Sequence, residues 1–175
     1  MQLTKPNAKY KISFLNALAE YQGEKKSEKH GRHEHYHSLD KDVLEKDFTS
    51  YVQKELLKEK GIDLPDEYVP ESVFWLIDND EFIGKINVRH ELSEHLMKIG
   101  GHIGYDIRPS KRRQGYGKNM LKLALVEAKK IGINRVMITC NFDNIPSKKI
   151  IEENKGILQD QLGTKLRYWI NLTTT

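Results

Sequence analysis

Cysteine is almost missing from this chain: Cys140 is the single one among 175 residues, so no internal disulfide can form. The stretch from Met1 to Lys11 lacks the apolar core of a secretion signal. Together these point to the reducing cytoplasm as the expected location. Long apolar runs are missing too, and no window approaches the roughly 20 apolar residues that cross a bilayer, so no membrane partner is expected. A strong excess of one charge is also lacking. Lys and Arg total 29 against 25 Asp and Glu, a net charge of +4 with a pI near 9.0. That mild surplus falls short of a nucleic-acid-binding extreme and suits an anionic small molecule equally well.

What is present describes an ordinary globular chain. Hydrophobic residues make up 38% and charged residues 31%, with a mean hydropathy of -0.67. A chain of this size buries roughly two thirds of its unfolded surface, enough for one core. We therefore expect a single domain over residues 1–175, without internal repeats. The basic residues cluster at Lys25 to Arg32, Lys111 to Lys118, and Lys148 to Lys149.

Periodicity gives the order of elements. Pro6 to Tyr21 reads as a helix with Phe14, Leu15 and Leu18 on one face, ended by Gly23. Glu24 to Ser38 is charged and aperiodic and reads as an exposed loop. Its His30, His33, His35 and His37 with Glu34 could share an ion, but no scaffold is visible, and no metal is expected. Asp40 is placed to cap a helix running to about Lys60, burying Leu44, Phe48, Tyr51, Val52 and Leu56. Ile62 to Ser72 reads as a loop carrying Asp66, Glu67 and Glu71. Val73 to Ile77 and Phe82 to Leu92 form a hairpin around Asp78-Asn79-Asp80. Ser93 to Gly101 reads as a loop, and His102 to Ile107 as a strand. The helix after it keeps Met120, Ala124, Ala128 and Ile131 in register until Gly132. Asn134 to Cys140 reads as a buried strand whose helical crossover implies a parallel neighbour. A short helix from Pro146, capped by Asn144, and a closing hairpin around Gly163-Thr164 finish the chain.

The informative stretch is Ile107-Arg108-Pro109-Ser110-Lys111-Arg112-Arg113-Gln114-Gly115-Tyr116-Gly117-Lys118. A strand enters a basic turn with two glycines and a helix leaves it, so free backbone N–H groups and a positive helix end converge. Gly115 can take a backbone geometry closed to other residues, and Gly117 can let the main chain approach a ligand. A diphosphate suits such a site. The spacing is neither a dinucleotide fingerprint, which needs a glycine where Met120 stands, nor a Walker loop, which needs one where Arg112 stands.

Arg112-x-x-Gly115-x-Gly117 after the Ile107-x-Pro109 strand exit resembles motif A of the GNAT N-acetyltransferases, and Asn141-x-x-Asn144-x-x-Ser147 resembles their second cofactor segment. The Gly100-Gly101-His102-Ile103-Gly104-Tyr105 and Arg167-Tyr168-Trp169-Ile170 stretches look like a bacterial subgroup of predicted acetyltransferases. The resemblance implies an α/β (α+β) GNAT fold: a mixed twisted sheet, helices on both faces, and a splay between the fourth and fifth strands. It implies acetyl-CoA as co-substrate, held without a metal by Ile107, Arg108, Arg112, Arg113, Gln114, Gly115, Tyr116, Gly117, Lys118, Asn141, Asn144 and Ser147. It also implies direct transfer to a primary amine, small molecule or protein, with a homodimer as one form of the enzyme.

The chemistry needs a base for the amine and an acid for the departing thiolate. The phenol that many relatives place after Ser147 falls at Ile151 here. His102 and Tyr105 are the candidates, on opposite faces of one strand unless a bulge swaps the phase; Glu91, Tyr168 and Cys140 are further alternatives. The absent phenol keeps a noncatalytic acyl-CoA-binding module open as a second reading. A third makes Lys111 to Lys118, with Tyr116, a nucleic-acid contact, although strand, turn and helix explain the glycines better.

Overall fold

The computed structural model of the protein describes residues 1–24, 33–62, 64 and 68–172. The Lys25 to Arg32 charge cluster, His30, Asp66 and Glu67 therefore lie outside the described residues.

A short strand β1 (Gln2–Thr4) and a 3-10 turn over Ala8–Tyr10 lead into α1 (Lys11–Gly23). Phe14, Leu15, Ala17, Leu18 and Tyr21 form its buried face. Next comes α2 (His33–His37), where a loop was expected. Tyr36 of α2 is 1% exposed, and its partner is 70 residues away, so no local signal marks it. The single helix expected from Asp40 is broken in two. Asp40 caps α3 (Lys41–Lys46), and Asp47 then leaves helical geometry and caps α4 (Phe48–Leu57) through Ser50 N–H. Glu71 belongs to a strand rather than a loop.

That strand, β2 (Glu71–Asp78), pairs with β3 (Glu81–Arg89) through the expected turn. Asn79 and Asp80 sit there at φ of 47° and 60°, the geometry a two-residue hairpin needs. A second element missing from the sequence reading is α5 (Glu94–Lys98), capped by Ser93. Then follow β4 (Ile103–Ile107), α6 (Tyr116–Lys130), β5 (Arg135–Asn141), α7 (Ile145–Glu153), β6 (Ile157–Leu162) and β7 (Lys165–Asn171). Met120, Leu121, Ala124 and Ala128 of α6 are buried, whereas Ile131, just past the helix, is 42% exposed.

Two antiparallel sheets result, ordered β1-β2-β3-β4 and β5-β7-β6. The parallel partner expected for β5 is not a hydrogen-bonded ladder. Among the described residues the chain entering β4 meets β5 where Gly101 bridges Ile138, His102 N–H donates to Met137 C=O at 2.8 Å and Gly100 N–H donates to Thr139 Oγ1 at 2.9 Å. Toward Ile107 and Asn141 they share no rungs, which is the splay implied by the sequence.

Two cores flank the first sheet. One face packs Ile83, Ile86, Val88 and Ile103 against α6, together with Val136, Ile138 and Tyr168 of the second sheet. The other packs Trp75, Val73 and Phe82 under α1 and α4. Phe14 is its hub, with its ring stacked on Trp75 at 5.2 Å and edge-on to Phe82 at 5.1 Å.

Candidate active site

Strand β4 carries the site because its two edges differ. Arg89 N–H donates to His102 C=O and Arg108 N–H to Ile83 C=O, so in an antiparallel pair His102, Gly104, Asp106 and Arg108 bond toward β3. The alternate residues Tyr105 and Ile107 turn their backbone groups toward the splay. Their register with β3 is unbroken, so no bulge swaps the phase. Ile103, Tyr105 and Ile107 pack on the α6 side, and Asp106 points to the α1 side, where Tyr21 and Tyr36 hydroxyls donate to its Oδ1 at 2.6 and 2.9 Å.

Past Ile107 the chain makes the basic turn. Arg113 adopts φ 60° and Gly115 φ 82°, and no side chain caps α6 at Gly115. The first N–H groups of α6 thus emerge uncapped beside the open end of the splay, with α6's dipole behind them. Gly115 fills the role expected of it. Gly117 also has a packing reason: a Cβ there would lie 2.6 Å from Ile150 Cδ1, so this glycine lets α7 sit close against α6.

The cations of the turn are largely spoken for by carboxylates. Arg112 makes a forked pair with Glu24 at 2.5 and 2.9 Å, and its Nε donates to Ile107 C=O at 3.1 Å. Arg108 is buried between Glu20 and Glu81. Lys111 pairs with Glu81, and Lys118 with Glu153. Tyr116 donates to Asp78 at 2.9 Å, and Gln114 donates to Ser110 C=O. Arg113 is exposed. The side chains therefore shape the turn, as do its Ser110, Lys111 and Arg112 amides, which donate to Glu20, Arg108 C=O and Pro109 C=O.

The second segment meets the splay from the other side. Asn144 Oδ1 caps α7 by accepting from Ser147 N–H at 3.1 Å, and Asn141 Oδ1 accepts from Lys165 at 2.6 Å. Ser147 Oγ lies 2.9 Å from the Tyr105 hydroxyl. Burial pushes that hydroxyl well above the usual phenol range. Cys140 of β5 is buried beside them, with its thiol pushed up by the same cause. Ile151 is fully buried in the core, and Tyr105 reaches α7 from β4.

His102 occupies the closed end. Its Nδ1 accepts from Met137 N–H at 2.9 Å, so the neutral ring carries its proton on Nε2. Burial and the nearby Arg89 push its pKa down to about 4. Gly101 makes the closure feasible: at φ 65°, a Cβ would sit 2.5 Å from Met137 C=O. Tyr168, another alternative, has its hydroxyl pushed up to about 12 by burial and donates to Glu152 at 3.3 Å. Among the described residues no group of three or more His, Cys, Asp or Glu is arranged to hold a metal ion, and no helix is long and apolar enough to cross a membrane.

Comparison with known proteins matches this arrangement. No curated protein matches the sequence. Solved structures share the fold across almost the whole chain. Mycobacterium smegmatis RimJ, in complex with a CoA-disulfide, superposes with a TM-score of 0.68 at 13% identity, covering 97% of this chain and 80% of its own. RimL, a ribosomal-protein α-N-acetyltransferase in complex with coenzyme A, gives 0.65 at 15%, covering 97% and 93%. The microcin self-immunity acetyltransferase MccE, in complex with acetyl-CoA and AMP, gives 0.63 at 14%, covering 97% and 91%. The model of the acetyltransferase (GNAT) domain matches residues 16–156. With that match over most of its length, and with a splayed sheet facing an uncapped helix end, the chain belongs to the GNAT acetyltransferases.

Proposed function

We propose that the protein, working as one domain over residues 1–175, transfers the acetyl group of acetyl-CoA directly to a primary amine. The observation that carries this is the uncapped amino end of α6 opening beside strand β4, whose Tyr105 and Ile107 backbone groups face a gap instead of a neighbouring strand. Acetyl-CoA, when bound, supplies the activated acyl group and a thiolate leaving group. In the reaction an N–C bond forms and a C–S bond breaks, and the amine gives up one proton while the sulfur gains one.

The residues divide these tasks. The amides of residues 115–118 receive the linked phosphates, and Arg113, exposed beside them, adds charge. Arg112 and Arg108 hold the turn's shape through Ile107, Glu24, Glu20 and Glu81, so their contribution to binding is positional. Asn141, Asn144 and Ser147 frame the other wall. Tyr105 N–H, on the gap side, is placed to donate to the thioester oxygen as negative charge grows there. The Tyr105 hydroxyl, 2.9 Å from Ser147 Oγ, serves as the acid for the departing sulfur, with Ser147 orienting it. His102, with Nδ1 occupied, holds the closed end of the splay. Tyr105→Phe tests the division: kcat should fall by roughly one to two orders of magnitude, with acetyl-CoA affinity unchanged. An unchanged kcat would remove Tyr105 from the acid role.

A noncatalytic acyl-CoA sensor is the second reading, favoured by the buried Ile151 where relatives carry a phenol. Thiol release from acetyl-CoA that depends on added amine separates the two. The chemistry suits the cytoplasm, where coenzyme A and reduced thiols coexist.

A further inference from the structure

The face of the first sheet that lies under α1 and α4 carries a polar strip that packing alone does not call for. Strand β3 presents Lys85, Asn87 and Arg89 there, opposite Asp106, Gly104 and His102 of β4. Lys85 is buried in an ion pair with Glu55, which also holds Lys58. Arg89 donates to Gly101 C=O at 2.8 Å. Asn87 differs from both. It is 3% exposed; its Nδ2 donates to Glu71 Oε1 at 2.5 Å, yet its Oδ1 has no partner among the described residues. A buried amide oxygen left without a donor is costly, and folded proteins keep few of them without a use.

The orientation of that oxygen is fixed. Turning the amide over would set oxygen against the Glu71 carboxylate, which is itself steadied by Arg89 at 3.7 Å and Lys58 at 3.9 Å. Asn87 stands directly across from Gly104, where β4 has no side chain to cover that face. The next residue is Tyr105, whose backbone turns into the splay. On the same face the Tyr51 hydroxyl of α4 and Trp75 Nε1 of β2 are also buried without a partner among the described residues. Gly104 itself is partly exposed, so a small amine that reached the thioester from this side would meet Asn87 across from it.

We propose that Asn87, with its amide oriented by Glu71, is the specificity contact for the acceptor: Oδ1 accepts a hydrogen bond from the incoming primary amine and holds its nitrogen over Gly104. This rests on the acetyl-transfer reading above. An amine keeps an N–H for Oδ1 while its lone pair points at the acyl carbon. An alcohol has a single O–H, which it must lose on attack, so the contact favours amines over alcohols.

The test uses the intact chain, coenzyme A and n-butylamine as the probe. In the coenzyme A-loaded, nitrogen-15-labelled protein, n-butylamine should shift the side-chain amide pair of Asn87. With acetyl-CoA, Asn87→Ala should raise the n-butylamine KM about tenfold, the loss of one buried hydrogen bond, while leaving the acetyl-CoA KM unchanged. Glu71→Gln should raise it less, about threefold, because the amide then loses its fixed direction while keeping a partner. An Asn87 amide pair that stays in place as the amine is added overturns the proposal, as does an Asn87→Ala enzyme with both KM values of the wild type. Coenzyme A that fails to raise the melting temperature of the wild type would instead remove the acetyl-transfer reading on which the proposal stands.

Discussion

The two ends of the boundary between β4 and β5 are opposites. At the closed end every polar group has an internal answer: Met137 C=O receives His102 N–H, Met137 N–H is answered by the His102 ring, and Gly101 lets the backbones touch. At the open end, a few residues on, Tyr105 and Ile107 turn backbone groups toward a space where β5 offers no rung, and α6 begins without a cap. Stability concentrates where hydrogen bonds close internally, and binding capacity where they do not. A strand can serve both purposes because its two ends are only a few residues apart.

The contrast can be broken most severely at Gly101. Gly101→Val should cost roughly 3 kcal/mol or more, because a side chain there meets Met137 C=O and needs a left-handed backbone; urea unfolding measures it, and a loss below about 1 kcal/mol would mean the seam is not tightly closed. The His102 ring gives the next effect, seen in pH. Its folded pKa of about 4 lies below the unfolded value of 6.5, so the unfolded chain binds the proton more readily. The stability it supports is complete above pH 6.5 and is lost as pH falls toward 4. The size is on the order of 3 kcal/mol from the shift of about 2.5 units. His102→Asn should flatten that slope in unfolding free energy against pH; an unaltered slope would contradict the clamp.

At the open end the fold should tolerate change that binding does not. Arg113→Glu, at an exposed residue already at φ 60°, places a carboxylate beside the uncapped amides, so it should lower coenzyme A affinity about tenfold or more by calorimetry while moving the melting temperature little. Ser147→Ala is the mildest change. Losing one hydrogen bond to the Tyr105 hydroxyl should reduce kcat by about threefold to tenfold. Equal effects of Arg113→Glu on folding and binding would erase the distinction between the two ends.

Sequence made the local devices legible. The Asp78-Asn79-Asp80 turn, the glycine in the basic bend, the Asn144 cap and the stripe along α6 each depend on neighbours within a few positions, and each appears where expected. What stayed hidden depends on distance along the chain. Tyr36 looked like part of a charged loop because its partner, Asp106, is 70 residues on. The pairing of Arg112 with Glu24 is hidden in the same way, since the two are 88 residues apart. The alternation along β3 marked a strand, but not that Lys85 and Asn87 face inward, since only the opposing carboxylates of Glu55 and Glu71 make their burial tolerable. His102 was legible as a residue on the right strand, while its tautomer was set by Met137, which no spacing rule connects to it.

Amide hydrogen exchange with and without coenzyme A tests the division most directly. The account predicts that coenzyme A slows exchange in the basic turn and the first turn of α6, residues 113–118, and at Tyr105 and Ile107, while Met137 at the closed end exchanges as before. Protection confined to other parts of the chain, or none in residues 105–118, would contradict it.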